Sequence, residues 1–162
     1  MKKSFKYFFI LFFIYSISLQ ANETTINVNT LINKAKQENK HLLVFFHMTH
    51  CGYCKRMENR TFENQKVQEL LKKHFIYLDI NIDYNTEIFF NKKRYLEKSF
   101  AESVDVDFYP TVLFFDENYD VIYTSRGYRD SKKFEKILHF IKTKSYEKID
   151  FFDYKKGKEE EE

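Results

Sequence analysis

Only two of the 162 residues are cysteines, and they stand three apart in Cys51-Gly52-Tyr53-Cys54. So short a loop removes little chain entropy when closed, so the pair is a poor staple compared with a long-range crosslink. Its other use is exchange chemistry, in which a thiolate attacks a disulfide sulfur and a second thiol resolves the mixed disulfide. A free cysteine with a pKa of about 8.5 is only a few per cent ionised at neutral pH, whereas a pKa of about 7 gives about half. The start of a helix supplies that shift, because its free N–H groups and dipole favour a thiolate. Cys51 falls at such a start and Cys54 inside the first turn.

Other side chains with chemistry lie close in sequence. Glu58 follows Cys54 by four residues and so shares its helix face; it is either the acceptor of the Cys54 proton or a solvated carboxylate. Asp79 is a second candidate, since an acid on a strand read as buried is costly unless paired or used. His50 either tunes the pKa of Cys51, as imidazolium or hydrogen-bond donor, or is an exposed loop residue. With His47 it completes a His-x-x-His-Cys-x-x-Cys string whose ligand types suit zinc or copper. Yet His47 ends a strand and Cys54 lies in a helix, so gathering four ligands round one ion would distort both elements. No metal is expected. His41, His74 and His139 are expected at the surface, Tyr53 as an exposed contact residue, and Tyr128 as core or near-site packing.

The elements that must position these groups alternate in type. Residues 42–48 form a continuous apolar run of strand length, expected to be buried on both faces. A helix is predicted over residues 52–60, another after the cap residue Asn64, and a second buried strand over residues 75–82. Leu31, Ile32 and Ala35 mark a helix over residues 30–38. Residues 88–95 suggest a short hairpin and residues 96–104 a helix. Beyond the single proline, Pro110, residues 111–115 and 121–125 form an antiparallel pair across a polar turn. Phe134, Ile137, Leu138 and Ile141 then share one face of a last helix at i, i+3, i+4 and i+7. This order gives an α/β fold whose central sheet is covered on both faces.

The chain has one domain's worth of residues, and 43% hydrophobic content is enough for a real core. Lys2, Lys3 and Lys6 supply the whole excess of 27 basic over 24 acidic side chains. The remainder is neutral, which argues against a nucleic-acid binder. Residues 1–21 have the layout of an export signal: a basic start, an apolar run over residues 7–19, then Gln20 and Ala21. That run is too short to span a bilayer comfortably. An uncleaved anchor is the alternative, because Leu19 is bulky for a position three before the cut. Residues 22–154 are expected to form the domain, with Tyr146, Phe151, Phe152 and Tyr154 packing its C-terminal segment. Residues 155–162, Lys-Lys-Gly-Lys and four Glu, read as a charged disordered tail.

Cys51-Gly52-Tyr53-Cys54-Lys55 after the apolar strand, with Tyr109-Pro110-Thr111 before the next, resembles the thioredoxin superfamily over roughly residues 30–145. The stretch from Cys54 through Glu58 to Thr61, Phe62 and Val67 is similar to exported reductases of the DsbD C-terminal-domain type. Gly127, Tyr128, Phe134 and residues 146–154 resemble thioredoxin-related proteins of the SoxW type. The resemblance implies a thioredoxin fold, with a central mixed β-sheet flanked by helices on both faces and a short insertion before the cis-proline strand. It implies that Pro110 is cis and that Tyr109 and Tyr53 help bind substrate. The implied activity is that of a periplasmic thiol:disulfide oxidoreductase working as a reductant, in which Cys51 attacks and Cys54 resolves. The pair would form the redox-active disulfide, and no dissociable cofactor is expected. The implied partners are client proteins with disulfides and a membrane reductant carrier of the DsbD/CcdA type. Oxidase or isomerase activity, or a metal-handling binding module, are the alternatives. The sequence also departs from the family. Phe45 stands six before the first cysteine in place of a buried Asp, His50 replaces a Trp, and Asp79 falls where a strand Lys is customary.

Overall fold

The structure, a computed structural model, describes residues 25–159. The expected export signal lies outside them, as do the last three glutamates. Strand β1 (Ile26–Asn27) leads straight into α1 (Val28–Gln37), whose first turn is capped by the Asn27 side chain accepting from the Thr30 N–H at 3.1 Å. Strand β2 (His41–His47) is buried along almost its whole length. The chain then enters α2 (Gly52–Arg56), a π-helical turn (Met57–Phe62) and α3 (Gln65–His74), before β3 (Phe75–Asn81). The expected single helix over residues 52–60 is therefore two pieces of different pitch.

A hairpin of β4 (Glu87–Phe90) and β5 (Lys93–Leu96) follows, then α4 (Glu97–Ser103). The two hairpin loop residues, Asn91 and Lys92, both have positive φ, as the tight turn that matches strand twist requires. Strands β6 (Thr111–Phe115) and β7 (Val121–Arg126), then helices α5 (Ser131–Lys142) and α6 (Phe151–Glu159), complete the fold.

The main sheet runs β3-β2-β6-β7, with β2 parallel to β3 and antiparallel to β6. Parallel neighbours need a long crossover, here α2, the π-helical turn and α3. One sheet face carries Leu42, Val44, Phe46, Ile80, Leu113 and Phe115 against α1 and α4; the other carries Leu43, Phe45, Val112 and Phe114 against α3 and α5. This is the thioredoxin fold, with helices on both faces and an inserted hairpin before the proline strand. The hairpin joins β1 in a separate sheet ordered β1-β4-β5.

Two further expectations change. Strand β3 is not buried on both faces: it is the sheet's edge, and Tyr77 and Asp79 on it are exposed. The segment from Lys155, expected to be disordered, is helical up to Glu159. Asp150 caps that helix through the Asp153 N–H at 2.9 Å, and Phe151 packs edge-on and Tyr154 at a tilt against the Phe140 ring. Anchored at its first turn, the helix propagates into the charged stretch.

Candidate active site

Cys51 is the residue that caps α2, with its Sγ accepting the Cys54 N–H at 3.1 Å. That N–H is one of the free donors of the helix start, aimed at the atom that would carry a thiolate's charge. Cys54 is fully buried, whereas Cys51 is partly open, and the two form a disulfide. The loop leading to Cys51 is tied to the end of β3. Thr49 donates its N–H to Asp83 Oδ2 at 2.8 Å, Asn81 Nδ2 donates to Thr49 Oγ1 at 3.0 Å, and Ile82 N–H donates to the His47 carbonyl at 3.0 Å. These bonds from Thr49 hold the Asp83 carboxyl below the usual carboxylate range, helped by the charges of His50 and His47. Asn81 and Asp83 carried no signal in the sequence, because their work depends on which strand end meets the Cys51 loop.

The Tyr109–Pro110 peptide bond is cis. Phe46 pairs with Thr111 across the antiparallel β2–β6 ladder, so Pro110 falls beside the end of β2 from which the Cys51 loop springs. Thr111 Oγ1 donates to the Phe108 carbonyl at 2.7 Å, and Gly127 N–H donates to the Pro110 carbonyl at 2.7 Å. Gly127 has φ +80, a left-handed conformation in which a residue with a Cβ is strained, so the position favours glycine. Tyr53 is 64% exposed, its ring 6.4 Å from that of Tyr128, over which the Arg56 guanidinium sits at 4.8 Å. His50 is exposed and lies within electrostatic reach of Asp83.

The two proton-acceptor candidates meet at a residue the sequence reading assigned only to a metal alternative. His47 places Nδ1 3.3 Å from Glu58 Oε1 and Nε2 3.1 Å from Asp79 Oδ1. Phe45 lies on the same sheet face and stacks its ring on the imidazole, centroids 5.1 Å apart and planes 8° from parallel. Burial pushes the imidazole pKa down, but the Asp79 hydrogen bond and the charges of Asp79, Glu58 and Asp83 outweigh it, and the net shift is upward. Burial and the nearby carboxylates push the Tyr77 hydroxyl, bonded to Asp79, strongly up, so it stays neutral. The signal for this cluster was available in the period of two: residues 45 and 47 share a face, and the parallel register sets Phe45 beside Asp79. Among the described residues no group of His, Cys, Asp and Glu is arranged to hold a metal ion. His41, expected at the surface, packs against the rings of Phe75 and Tyr146, and burial lowers its pKa.

A family model described as a thioredoxin-like domain matches residues 28–142. A search of curated protein sequences finds no match. Among solved structures, a thioredoxin-fold protein from Helicobacter pylori is 25% identical, with a TM-score of 0.59 over 74% of this chain and 80% of that one. A disulphide isomerase from Xylella fastidiosa is 24% identical, TM-score 0.53, over 70% and 87%. The oxidised C-terminal domain of DsbD from Neisseria meningitidis is 14% identical, TM-score 0.51, over 68% and 88%. The model spans the sheet, both cysteines and the cis-proline strand, so the chain belongs to the thioredoxin-like family and is a thiol–disulfide oxidoreductase by its Cys51–Cys54 pair.

Proposed function

We propose that this protein is an exported reductant of client disulfides, working in a periplasm-like compartment and resupplied with electrons by a membrane carrier of the DsbD/CcdA type. Cys51 attacks the client disulfide, Cys54 resolves the mixed disulfide, and Glu58 accepts the Cys54 proton. Tyr109 and Pro110 align the client backbone, and the exposed ring of Tyr53 contacts its side chains. The observation that carries the reading is the Cys54 N–H at 3.1 Å from Cys51 Sγ, which supports the partly open sulfur at the helix start as the attacking one. Direction rests on Tyr53: strong oxidants of this fold have a histidine just before the second cysteine, where it stabilises the reduced thiolate. His50 is the one feature favouring oxidation or isomerisation, and the Asp83 carboxylate competes with Cys51 for its charge. Export rests on the layout of residues 1–21.

Equilibration with glutathione buffers tests the direction. A reductant should lie toward the thioredoxin end, near about −270 mV, and a value above about −150 mV, toward the DsbA end at about −120 mV, overturns it. Alkylation trapping in intact cells tests the electron supply: the pair should be mostly reduced, and a mostly oxidised pair contradicts a dedicated donor.

A further inference from the structure

Three elements converge on one imidazole: β2 brings His47, the π-helical turn brings Glu58, and β3 brings Asp79. The redox cycle described above uses Glu58 but has no task for His47 or Asp79. With a carboxylate oxygen against each nitrogen, only the imidazolium satisfies both contacts. The neutral ring keeps one bare lone pair, which a carboxylate oxygen cannot fill. The neutral ring is therefore a vacant proton site whose Nδ1 faces Glu58. Its side chain is 11% exposed and sandwiched against Phe45, so the orientation is held. On the far nitrogen Asp79 is 54% exposed, which gives the site an outlet to water.

We infer that His47 holds the proton that leaves Cys54 during resolution, as a positioning residue acting through Glu58. The inference rests on the reading above in which Glu58 accepts that proton. In the step, the Cys54 S–H bond breaks and its proton passes to a Glu58 oxygen and on to His47 Nδ1. The electron pair left on Cys54 forms the new bond to Cys51 Sγ, and the Cys51–client S–S bond breaks. Its electron pair leaves on the client thiolate, which takes a proton from water. Two sulfurs of the enzyme are oxidised and two of the client reduced, Glu58 ends as the carboxylate it began as, and His47 ends as the imidazolium. The imidazolium later releases a proton to water at the Asp79 side.

The charged groups facing the ring are Glu58 from the π-helical turn, Asp79 from β3 and Asp83 just beyond β3. Phe45 from its own strand and the neutral Tyr77 hydroxyl on Asp79 add no charge. Burial opposes the imidazolium, but all three acids favour it and outweigh burial, so the ring titrates above its ordinary value near 6.5. Only the neutral ring can take the proton, and resolution should therefore quicken as pH rises through that titration.

The test uses the reduced full chain and a chromogenic aromatic disulfide, which releases one coloured thiolate on attack by Cys51 and a second on resolution by Cys54. The readout is the ratio of second-phase to first-phase rate from about pH 6 to 9, a window that brackets a raised imidazole titration. The wild-type ratio should show an inflection at the pH where NMR sees the His47 ring titrate. His47→Gln should lose that inflection and lower the ratio above it by about 10- to 10²-fold, at or below the low end of general-base effects. Glu58→Gln should lose it too while the His47 ring still titrates by NMR. An unchanged ratio and inflection in His47→Gln, with Glu58→Gln slowed, overturns the role of His47 alone. A wild-type ratio in Glu58→Gln overturns Glu58 as the acceptor and the inference with it. If His47→Gln does not fold, the wild-type comparison still decides: a His47 titration that does not coincide with the kinetic inflection defeats the proposal.

Discussion

At the level of single residues, the division of labour proposed for the two sulfurs rests on their difference in burial. Cys54→Ser leaves the partly open Cys51 to attack with nothing to resolve it, so mixed disulfides with client proteins should accumulate on non-reducing gels. Cys51→Ser should trap none, and the reverse pattern would exchange the two roles. Helix period set Glu58 on the face of Cys54, but the contact the structure gives Glu58 is with His47. That the two cysteines work together was legible from their spacing between an apolar strand and a helix. The role of His47 was not, because its significance lies in what two non-adjacent elements bring to its two nitrogens. Phe45, six before Cys51 where the family keeps a buried acid, is explained by the same contact: it stacks on His47, and the acids sit at the ring's two ends instead. The raised His47 pKa also fixes a stability trend. Folding favours the protonated ring, so its contribution is fully present below the unfolded value near 6.5 and is lost as pH rises through the higher folded value. Denaturant unfolding of the wild type and His47→Gln should therefore differ most at acid pH, with the gap narrowing toward about pH 9.

At the level of elements, periodicity read the centre of the fold well and its edges less well. The unbroken apolar run of β2 and the i, i+3, i+4, i+7 face of α5 are properties of local sequence, and both stand where expected. Whether a strand is central or terminal in a sheet depends on partners far away in the chain. This is why β3, similar in composition, proved to be an edge with Asp79 half in water. The π-helical turn was hidden for a related reason. Its widened turn is set by tertiary contacts: Met57 and Thr61 are fully buried, and Thr61 Oγ1 donates to the Arg129 carbonyl in the loop between β7 and α5. Turns of this pitch are frequent at functional sites, and this one carries Glu58 to His47. Thr61→Val keeps the shape and deletes the donor, leaving a carbonyl without its partner. It should cost about 1–3 kcal/mol in chemical denaturation, and a loss of less than half a kcal/mol would mean that water replaces the hydroxyl at no net cost.

At the level of the whole molecule, the C-terminal segment ties the last helices to the sheet. The four aromatics at positions 146, 151, 152 and 154 were expected to pack against the domain, and three of them do. Phe151 meets Tyr123 and Phe140, Tyr146 meets His41 and Phe140, and Tyr154 meets Phe140. Phe152 faces outward, 69% exposed, with the Lys155 ammonium over its ring. The sequence could not distinguish Phe151 from Phe152, since adjacent helical residues point about 100° apart and only the position of α5 decides which is inward. The two neighbours thus provide a paired experiment on how the layer is held. Phe151→Ala removes a half-buried ring that touches both β7 and α5, so it should destabilise by about 1–2 kcal/mol, less than the figure for a fully buried phenylalanine. For a domain of this size that corresponds to a melting point lower by roughly 2–8 °C. Phe152→Ala should fall within about half a kcal/mol of wild type, as surface changes do. None of these ring contacts reaches Cys51 or Cys54, so disulfide reduction at a temperature well below melting should be the same in Phe151→Ala as in the parent. Equal stability of the two variants would mean that α6 is not docked on α5 in solution, and the charged stretch from Lys155 would then behave as the disordered tail its composition suggests.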